Sequence, residues 1–212
     1  MILFSPKQVP WWKTRLKFSF NGKEYFYFVH QHNCGWPPYR MTERSVELAL
    51  ADSWLSRYEK DSEVIEIGAV TPYYWPCRVL NVVDPSDQHP LVSSRSSFFD
   101  ISLHAKRVLS ISTFEHIGSG EYNLENNEGL ALQAVEKLLS EASIFLVTIP
   151  IGYNKALEEY ILRAEGSFKD VTVSFMKRGT WVMNNAWRQV LASEVVGASY
   201  TIGANGLIIL ER

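Results

Sequence analysis

The chain has 212 residues, of which 46% are hydrophobic and 13% aromatic, enough to bury one substantial core. Its 21 basic and 23 acidic residues give a net charge of −2, which argues against binding nucleic acid through a basic face. No apolar stretch approaches the roughly 20 residues that a membrane-spanning helix needs, so we expect no membrane partner.

Residues 1–41 predict a β-hairpin followed by a connecting segment. Asn21-Gly22 separates the β-prone runs LKFSF and KEYFYFVH, and both residues tolerate the positive φ angles of a type I′ turn. The chain begins without a charged region or a small-residue cleavage site, so we expect no signal peptide. Cys34 and Cys77 do not make a disulfide framework, and we therefore expect a cytoplasmic protein.

The connecting segment contains one arrangement of metal-ligand residue types. His30, His32 and Cys34 fall on one face of an extended segment. A structural zinc site usually needs a fourth ligand, and neither CxxC nor HxxxH spacing supplies one. We therefore predict no metal site.

From Thr42 onward, helical and strand-like segments alternate. Val46, Leu50 and Trp54 recur at helical spacing, and the later helices have apolar faces at residues 131–138 and 157–164. Between the helices lie short apolar runs without alternation, which are typical of parallel strands covered on both faces. Residues 42–212 therefore predict an α/β domain with a Rossmann-like, doubly wound, mostly parallel sheet, and the hairpin is its N-terminal appendage. The direction of the last two strands stays open.

The most informative stretch is VIEIGAVTPYY, residues 64–74, where a buried strand turns at Glu66 and Gly68. A loop that cradles a diphosphate needs several glycines, because backbone N–H groups must approach the phosphates closely. Val70 and Pro72 occupy the positions where further glycines are expected, which disfavours NAD or ATP but disfavours a nucleoside without phosphates less. Asp84, at the tip of the next strand, is placed either to bind ribose hydroxyls or to form an Asp-Pro turn.

The order of VIEIGAV, VVDPSD, FFDIS, ISTFEHIG and TIPIGYN resembles that of the class I S-adenosylmethionine-dependent methyltransferases. The resemblance covers roughly residues 42 to 212 and implies S-adenosylmethionine as cofactor. It places Glu66 and Gly68 beside the methionine part of the cofactor, and Asp84 at its ribose. The acidic-apolar pair Asp100 and Ile101 matches the family's adenine contact.

The resemblance also places the end of the fourth strand, Ser112 with Glu115 and His116, beside the methyl group and the acceptor. His116 is the candidate general base because histidine titrates near neutral pH; alternatively, Glu115 and His116 only brace the loop. Trp-Pro-Pro-Tyr at residues 36–39 is close to the Asn/Asp-Pro-Pro-Tyr signature of amino-group nucleic-acid methyltransferases. Trp36 cannot accept a hydrogen bond from an exocyclic amine, and we interpret this segment as a rigid turn.

Two functions follow as hypotheses. The first is methyl transfer from S-adenosylmethionine to a small-molecule or glycan acceptor, with no nucleic-acid partner. The second is a cofactor-free methyltransferase fold that serves as a binding or scaffold module, for which Val70 and Pro72 are the motivation. The edge of the aromatic hairpin provides a surface for homo-oligomer formation in either case.

Overall fold

The computed structural model describes residues 11–30, 42–58, 62–121, 127, 129–164, 166, 168–178, 187–195 and 204–212. The strands within these residues are β1 (Trp11–Phe20), β2 (Lys23–His30), β3 (Val64–Ile67), β4 (Asn81–Val83), β5 (Arg107–Ile111), β6 (Ile144–Pro150), β7 (Thr172–Arg178), β8 (Trp187–Val190) and β9 (Gly206–Glu211). The helices are α1 (Glu43–Leu55), α2 (Thr71–Tyr74), α3 (Gly129–Glu141), α4 (Lys155–Ala164) and α5 (Ala192–Val195). Two short 3₁₀ helices follow β4 and β5, at Phe98–Asp100 and Phe114–His116.

The predicted N-terminal hairpin is confirmed. β1 and β2 pair antiparallel, and the turn between them has φ of 46° at Asn21 and 73° at Gly22, as a type I′ turn requires. The hairpin buries Phe18 and Phe28 in the same core as α1. The backbone N–H of Trp187 donates to the hydroxyl of Tyr27 over 2.8 Å, so the hairpin is also joined to β8. His32, Cys34 and the Trp-Pro-Pro-Tyr segment lie outside the described residues.

The seven remaining strands form one mixed sheet in the order β4-β3-β5-β6-β9-β7-β8. β3 pairs parallel with β4 and β5, and β5 pairs parallel with β6. The pairings of β6 with β9, of β9 with β7 and of β7 with β8 are all antiparallel. The prediction of a Rossmann-like, doubly wound, mostly parallel sheet is therefore wrong, because the half of the sheet beyond β6 is built by antiparallel pairing.

The error has a physical cause in β9. Its sequence GLIILE is apolar without alternation because β9 lies inside the sheet, where both of its faces are covered. Leu207 and Ile209 enter one core, and Ile208 and Leu210 enter the other. An apolar run therefore reports burial on two faces and carries no information about strand direction. β8, in which one of four residues is buried, has no such run and was not predicted.

Helices cover the two faces of the sheet and confirm the predicted apolar stripes. Val46, Leu50 and Trp54 of α1 are buried against one face together with the hairpin. α3 and α4 cover the other face, where their inward side chains are fully buried. The side chains concerned are Ala131, Ala134, Val135, Leu138, Leu157 and Ile161. No helix among the described residues combines the length and apolarity that crossing a membrane would require.

Candidate functional site

The carboxyl ends of β3, β4, β5 and β6 meet at one edge of the sheet, because these strands pair parallel. The loop after β3 contacts the loop after β5 at Gly68. Gly68 has a φ of 86°, and a Cβ atom there would lie 2.0 Å from Oγ1 of Thr113. Only glycine fits this backbone conformation and this close approach without rearrangement.

Glu66 holds the loop after β3 in place through hydrogen bonds to its buried carboxylate. Its side chain is fully buried, and Oε1 accepts hydrogen bonds from the backbone N–H groups of Val70 at 3.1 Å and Thr71 at 2.8 Å. Oε2 accepts a further hydrogen bond from the hydroxyl of Thr71. Burial raises the pKa of Glu66 to about 7, against the lowering effect of these donors. Glu66 is thus satisfied within the protein, and it is absent from the walls of the cleft described below.

The loop after β3 has no backbone N–H left for a phosphate. The N–H of Gly68 donates to the carbonyl of Val83 and that of Ala69 to Oδ2 of Asp84, both within 3.0 Å. The next two N–H groups are bound by Glu66, and Pro72 has none. The loop is therefore closed by protein acceptors and cannot cradle a diphosphate in this conformation.

Asp84 organises the turn after β4. Its Oδ1 accepts hydrogen bonds from the N–H and hydroxyl of Ser86 and from the N–H of Asp87, each at 2.9 Å. Its Oδ2 accepts only the N–H of Ala69 among the described donors, which leaves capacity for one further donor on that oxygen. The structure thus contains the Asp-Pro turn that the sequence offered as one alternative, and Asp84 also lines a cleft.

A cleft of about 660 Å³ opens between the ends of β3, β4 and β5. Gly68 and Asp84 form one wall, and the rings of Tyr73, Phe98 and Phe99 contribute aromatic surface. The neighbouring aromatic side chains Tyr74 and Trp75 are buried in the core beneath α1 and do not fill the cleft. The volume lies in the range of ordinary small-molecule sites.

The adenine-contact pair predicted from FFDIS lies beside this cleft and does not line it. Asp100 is exposed at the end of the 3₁₀ helix, and Ile101 is packed against the core formed with α3. The two residues that precede Asp100 in the same helix, Phe98 and Phe99, do line the cleft. In this segment, the aromatic residues line the cleft and the acidic-apolar pair does not.

A second cleft, of about 570 Å³, lies beyond the end of β5. Arg44, Ser112 and His116 line both clefts and so separate them. Its other walls are formed by three glutamates, a proline and a tyrosine. These groups are Glu43, Glu115, Glu121, Pro150 and Tyr153.

Ser112 is held at this boundary by a buried network centred on Glu47 of α1. The hydroxyl of Ser112 donates to the carboxylate of Glu47 at 2.7 Å, and the hydroxyl of Thr148 donates to it at 2.8 Å. Nη1 of Arg44 lies 3.6 Å from Oε2 of Glu47. Ser112 adopts a φ of 46°, a conformation that is uncommon outside glycine and is held here by these contacts.

Glu115 is buried at the wall of the second cleft without a hydrogen-bond donor. Only 1% of the residue is exposed, and neither Oε1 nor Oε2 has a hydrogen-bond partner among the described residues. Burial, assisted by the negative charges of Glu47 and Glu43, raises the pKa of Glu115 well above its ordinary value. A buried carboxyl in this condition is energetically costly unless a ligand supplies donors.

His116 lies between two carboxyl groups. Its Nδ1 is hydrogen-bonded to Oε2 of Glu121, and its Nε2 lies 3.5 Å from Oε1 of Glu115. A carboxylate only accepts hydrogen bonds, so the Glu121 contact assigns a proton to Nδ1 and leaves Nε2 as the nitrogen that takes up a proton in the neutral ring. The ring of Tyr153 packs edge-on against His116 at 5.2 Å.

The sequence did not reveal Arg44 and Glu47 as site residues. Both lie in α1, which was recognised only by its apolar stripe. A usable signal was present, because an acidic residue between Val46 and Leu50 falls near the buried face of the helix. The terminal nitrogen Nη1 of Arg44 is buried without a hydrogen-bond acceptor among the described residues, although Arg44 lines both clefts.

Comparisons with known proteins add no identification: no family model, no curated protein sequence and no solved structure matches this chain. Within the described residues there is also no cluster of three or more His, Cys, Asp or Glu residues suited to hold a metal ion.

Proposed function

We propose that this protein is an S-adenosylmethionine-dependent methyltransferase that acts on a small-molecule or glycan acceptor. The observation that carries the proposal is the pair of clefts at the carboxyl ends of the parallel strands, separated by Arg44, Ser112 and His116. A transfer between two molecules needs two adjoining binding spaces with a shared boundary where the reacting atoms meet.

The chemistry of the first cleft favours a cationic nucleoside over a nucleotide. Asp84 and Asp87 line the cleft, and their negative charges oppose a phosphate. The loop after β3 offers no N–H to a phosphate, as its donors are bound by Glu66, Asp84 and Val83. When bound, S-adenosylmethionine would supply an electrophilic methyl group on a sulfonium that these carboxylates accommodate.

Three roles fall to residues that line the first cleft, and a fourth falls to Glu66, which lies outside its walls. Phe99 and Phe98 provide an aromatic surface for the adenine ring, and Oδ2 of Asp84 accepts a ribose hydroxyl. Nη1 of Arg44, which lies 3.6 Å from Glu47 and has no hydrogen-bond acceptor among the described residues, donates to the methionine carboxylate. Glu66 acts on the cofactor only through the loop that it braces.

At the boundary, His116 acts on the acceptor. Glu121 orients the imidazole through Nδ1, so that Nε2 accepts a proton from the acceptor atom as it becomes nucleophilic. Ser112 positions the boundary through its hydrogen bond to Glu47. We expect His116→Ala to abolish transfer of a labelled methyl group into a metabolite mixture while leaving the affinity for S-adenosylhomocysteine unchanged; unchanged transfer would remove His116 from the mechanism.

Calorimetry with S-adenosylmethionine and S-adenosylhomocysteine tests the proposal directly. Binding is expected, and Phe99→Ala is expected to weaken it about tenfold because an aromatic stacking surface is lost. Asp100→Ala is the matched control from the same 3₁₀ helix, and its affinity should equal that of the wild type. No heat of binding at millimolar ligand would overturn the proposal and favour the cofactor-free binding or scaffold module instead.

We also propose a cytoplasmic location. The support is the scarcity of cysteine, since the sequence has two and Cys77 is a free thiol.

A further inference from the structure

The second cleft carries more negative than positive charge. Three carboxyl groups line it, from Glu43, Glu115 and Glu121, together with the guanidinium of Arg44 and the imidazole of His116. Both groups already face carboxylates, since Nη1 of Arg44 lies 3.6 Å from Glu47 and His116 is hydrogen-bonded to Glu121. Arg44 is therefore shared among Glu43, Glu47 and Glu115, and His116 between Glu115 and Glu121, so carboxyl groups outnumber the cationic groups at this cleft.

Three carboxyl oxygens at this cleft are buried without a hydrogen-bond partner among the described residues. They are both oxygens of Glu115 and Oε2 of Glu43. Buried polar atoms are almost always hydrogen-bonded in folded proteins. Three such oxygens without partners at one cleft therefore indicate a ligand that donates hydrogen bonds to them. Three acceptors match the three N–H donors of a protonated primary amine.

Other ligand groups satisfy the cleft less well. A hydroxyl group supplies one donor and no charge, so it would leave the buried carboxyls uncompensated. A carboxylate or phosphate would add to the excess of negative charge. Tyr153, which is 39% exposed and lines the cleft, adds an aromatic ring of the kind that attracts an ammonium group.

We propose that the second cleft binds a small molecule through a protonated amine, whose N–H groups are accepted by Glu115 and Glu43. The binding is inferred from this cleft alone. The further step, that this amine is the methyl acceptor in place of a hydroxyl, rests on the proposed function. The raised pKa of Glu115 agrees with amine binding, because a bound ammonium group would offset the burial that raises this pKa.

The test uses matched amine and hydroxyl probes on the full chain. Ethanolamine, cadaverine and glucosamine are compared with ethylene glycol, 1,5-pentanediol and glucose by ligand-observed NMR at millimolar concentration. At least one amine is expected to bind about tenfold or more tightly than its hydroxyl counterpart, because hydrogen bonds to a charged group are stronger than neutral ones.

Glu115→Gln provides the decisive variant, because it removes the charge and preserves the shape of the side chain. It should lose the preference for the amine, while its melting temperature is at least that of the wild type. Glu159→Gln, an exposed carboxylate of α4 paired with Arg163, is the matched control and should retain the preference. An equal affinity for amines and hydroxyls in the wild type, or an amine preference that survives Glu115→Gln, would overturn the inference.

S-adenosylhomocysteine binding, measured on the same samples, separates this inference from the proposed function. Cofactor binding without amine preference overturns the amine site alone. Amine preference abolished by Glu115→Gln, without cofactor binding, supports the amine site and overturns the methyltransferase proposal.

Discussion

Glu66 and Glu115 are two buried glutamates beside the ends of neighbouring parallel strands, and their surroundings are opposite. Glu66 lies within β3 and accepts three hydrogen bonds from the loop that follows. Glu115 follows β5 and accepts none from the described residues. Burial raises the pKa of both carboxyl groups, so the pKa alone does not distinguish them.

The difference separates a structural carboxyl from one that is directed at a ligand. Where the protein supplies every donor, the side chain stabilises its own loop, and removing it damages the fold. Where the protein supplies none, the side chain costs stability in the free protein and repays it only when a donor binds. The loop after β3 is accordingly held by hydrogen bonds within the protein, and the loop after β5 carries the carboxyl group for which we propose a ligand.

The largest expected effect is the loss of stability in Glu66→Ala. This change leaves the N–H groups of Val70 and Thr71 and the hydroxyl of Thr71 without an acceptor, so we expect the free energy of unfolding to fall by about 4 kcal/mol. Urea denaturation followed by circular dichroism measures the change. Glu115→Gln, measured in parallel, should show no loss, and similar losses in both variants would erase the contrast.

The second effect is the pH dependence of the folding stability that the carboxyl group of Glu66 causes. Its pKa is about 7 in the folded chain against an ordinary value of 4.5, so the folded state binds this proton more tightly than the unfolded state does. The stabilisation is therefore complete below pH 4.5 and is lost as pH rises through 7. Between pH 5 and 8 the loss amounts to roughly 2.5 kcal/mol.

Glu66→Gln isolates this contribution, because glutamine preserves an acceptor for the loop and does not titrate. The measurement is the difference in unfolding free energy between this variant and the wild type at several pH values. We expect the free energy of unfolding of the variant to rise relative to that of the wild type as pH rises. A difference that stays constant from pH 5 to 8 would show that Glu66 has the same pKa in both states.

The smallest effect concerns the contact between the two loops. Gly68→Ala combines a positive φ with a clash against Thr113, and we expect it to lower the free energy of unfolding by about 2 kcal/mol. Adding Thr113→Ala should restore about half of the loss, since the clashing Oγ1 and Cγ2 atoms are then absent. Additive effects in this double-mutant cycle would mean that the loops do not press against each other at Gly68.

Local sequence patterns predicted the elements that depend on neighbouring residues. Asn21-Gly22 specified the hairpin because few other pairs adopt two positive φ angles. The spacing of Val46, Leu50 and Trp54 predicted α1 because one face of a helix repeats every three to four residues. The absence of glycine at Val70 and Pro72 predicted a loop that does not cradle phosphates, and the loop donors are indeed occupied by the protein.

The lining of the candidate site was predicted less completely, because the clefts join residues that are distant in the chain. Gly68, Asp84, Ser112 and His116 were singled out and line the first cleft together. Asp100 was preferred to its neighbours Phe98 and Phe99 because an acidic residue is conspicuous in sequence, whereas an aromatic residue could equally belong to the core.

By itself, the sequence determined where the chain turns, which faces of its helices are apolar and which strands are buried on both sides, since these are properties of short segments. The tertiary structure decided the direction of β9, which depends on the path of residues far away in the chain. It also decided the partners of the two glutamates. The sequence does not show which donors will surround a carboxyl group. Donors from its own loop surround Glu66, whereas no hydrogen-bond donor among the described residues meets the carboxyl oxygens of Glu115.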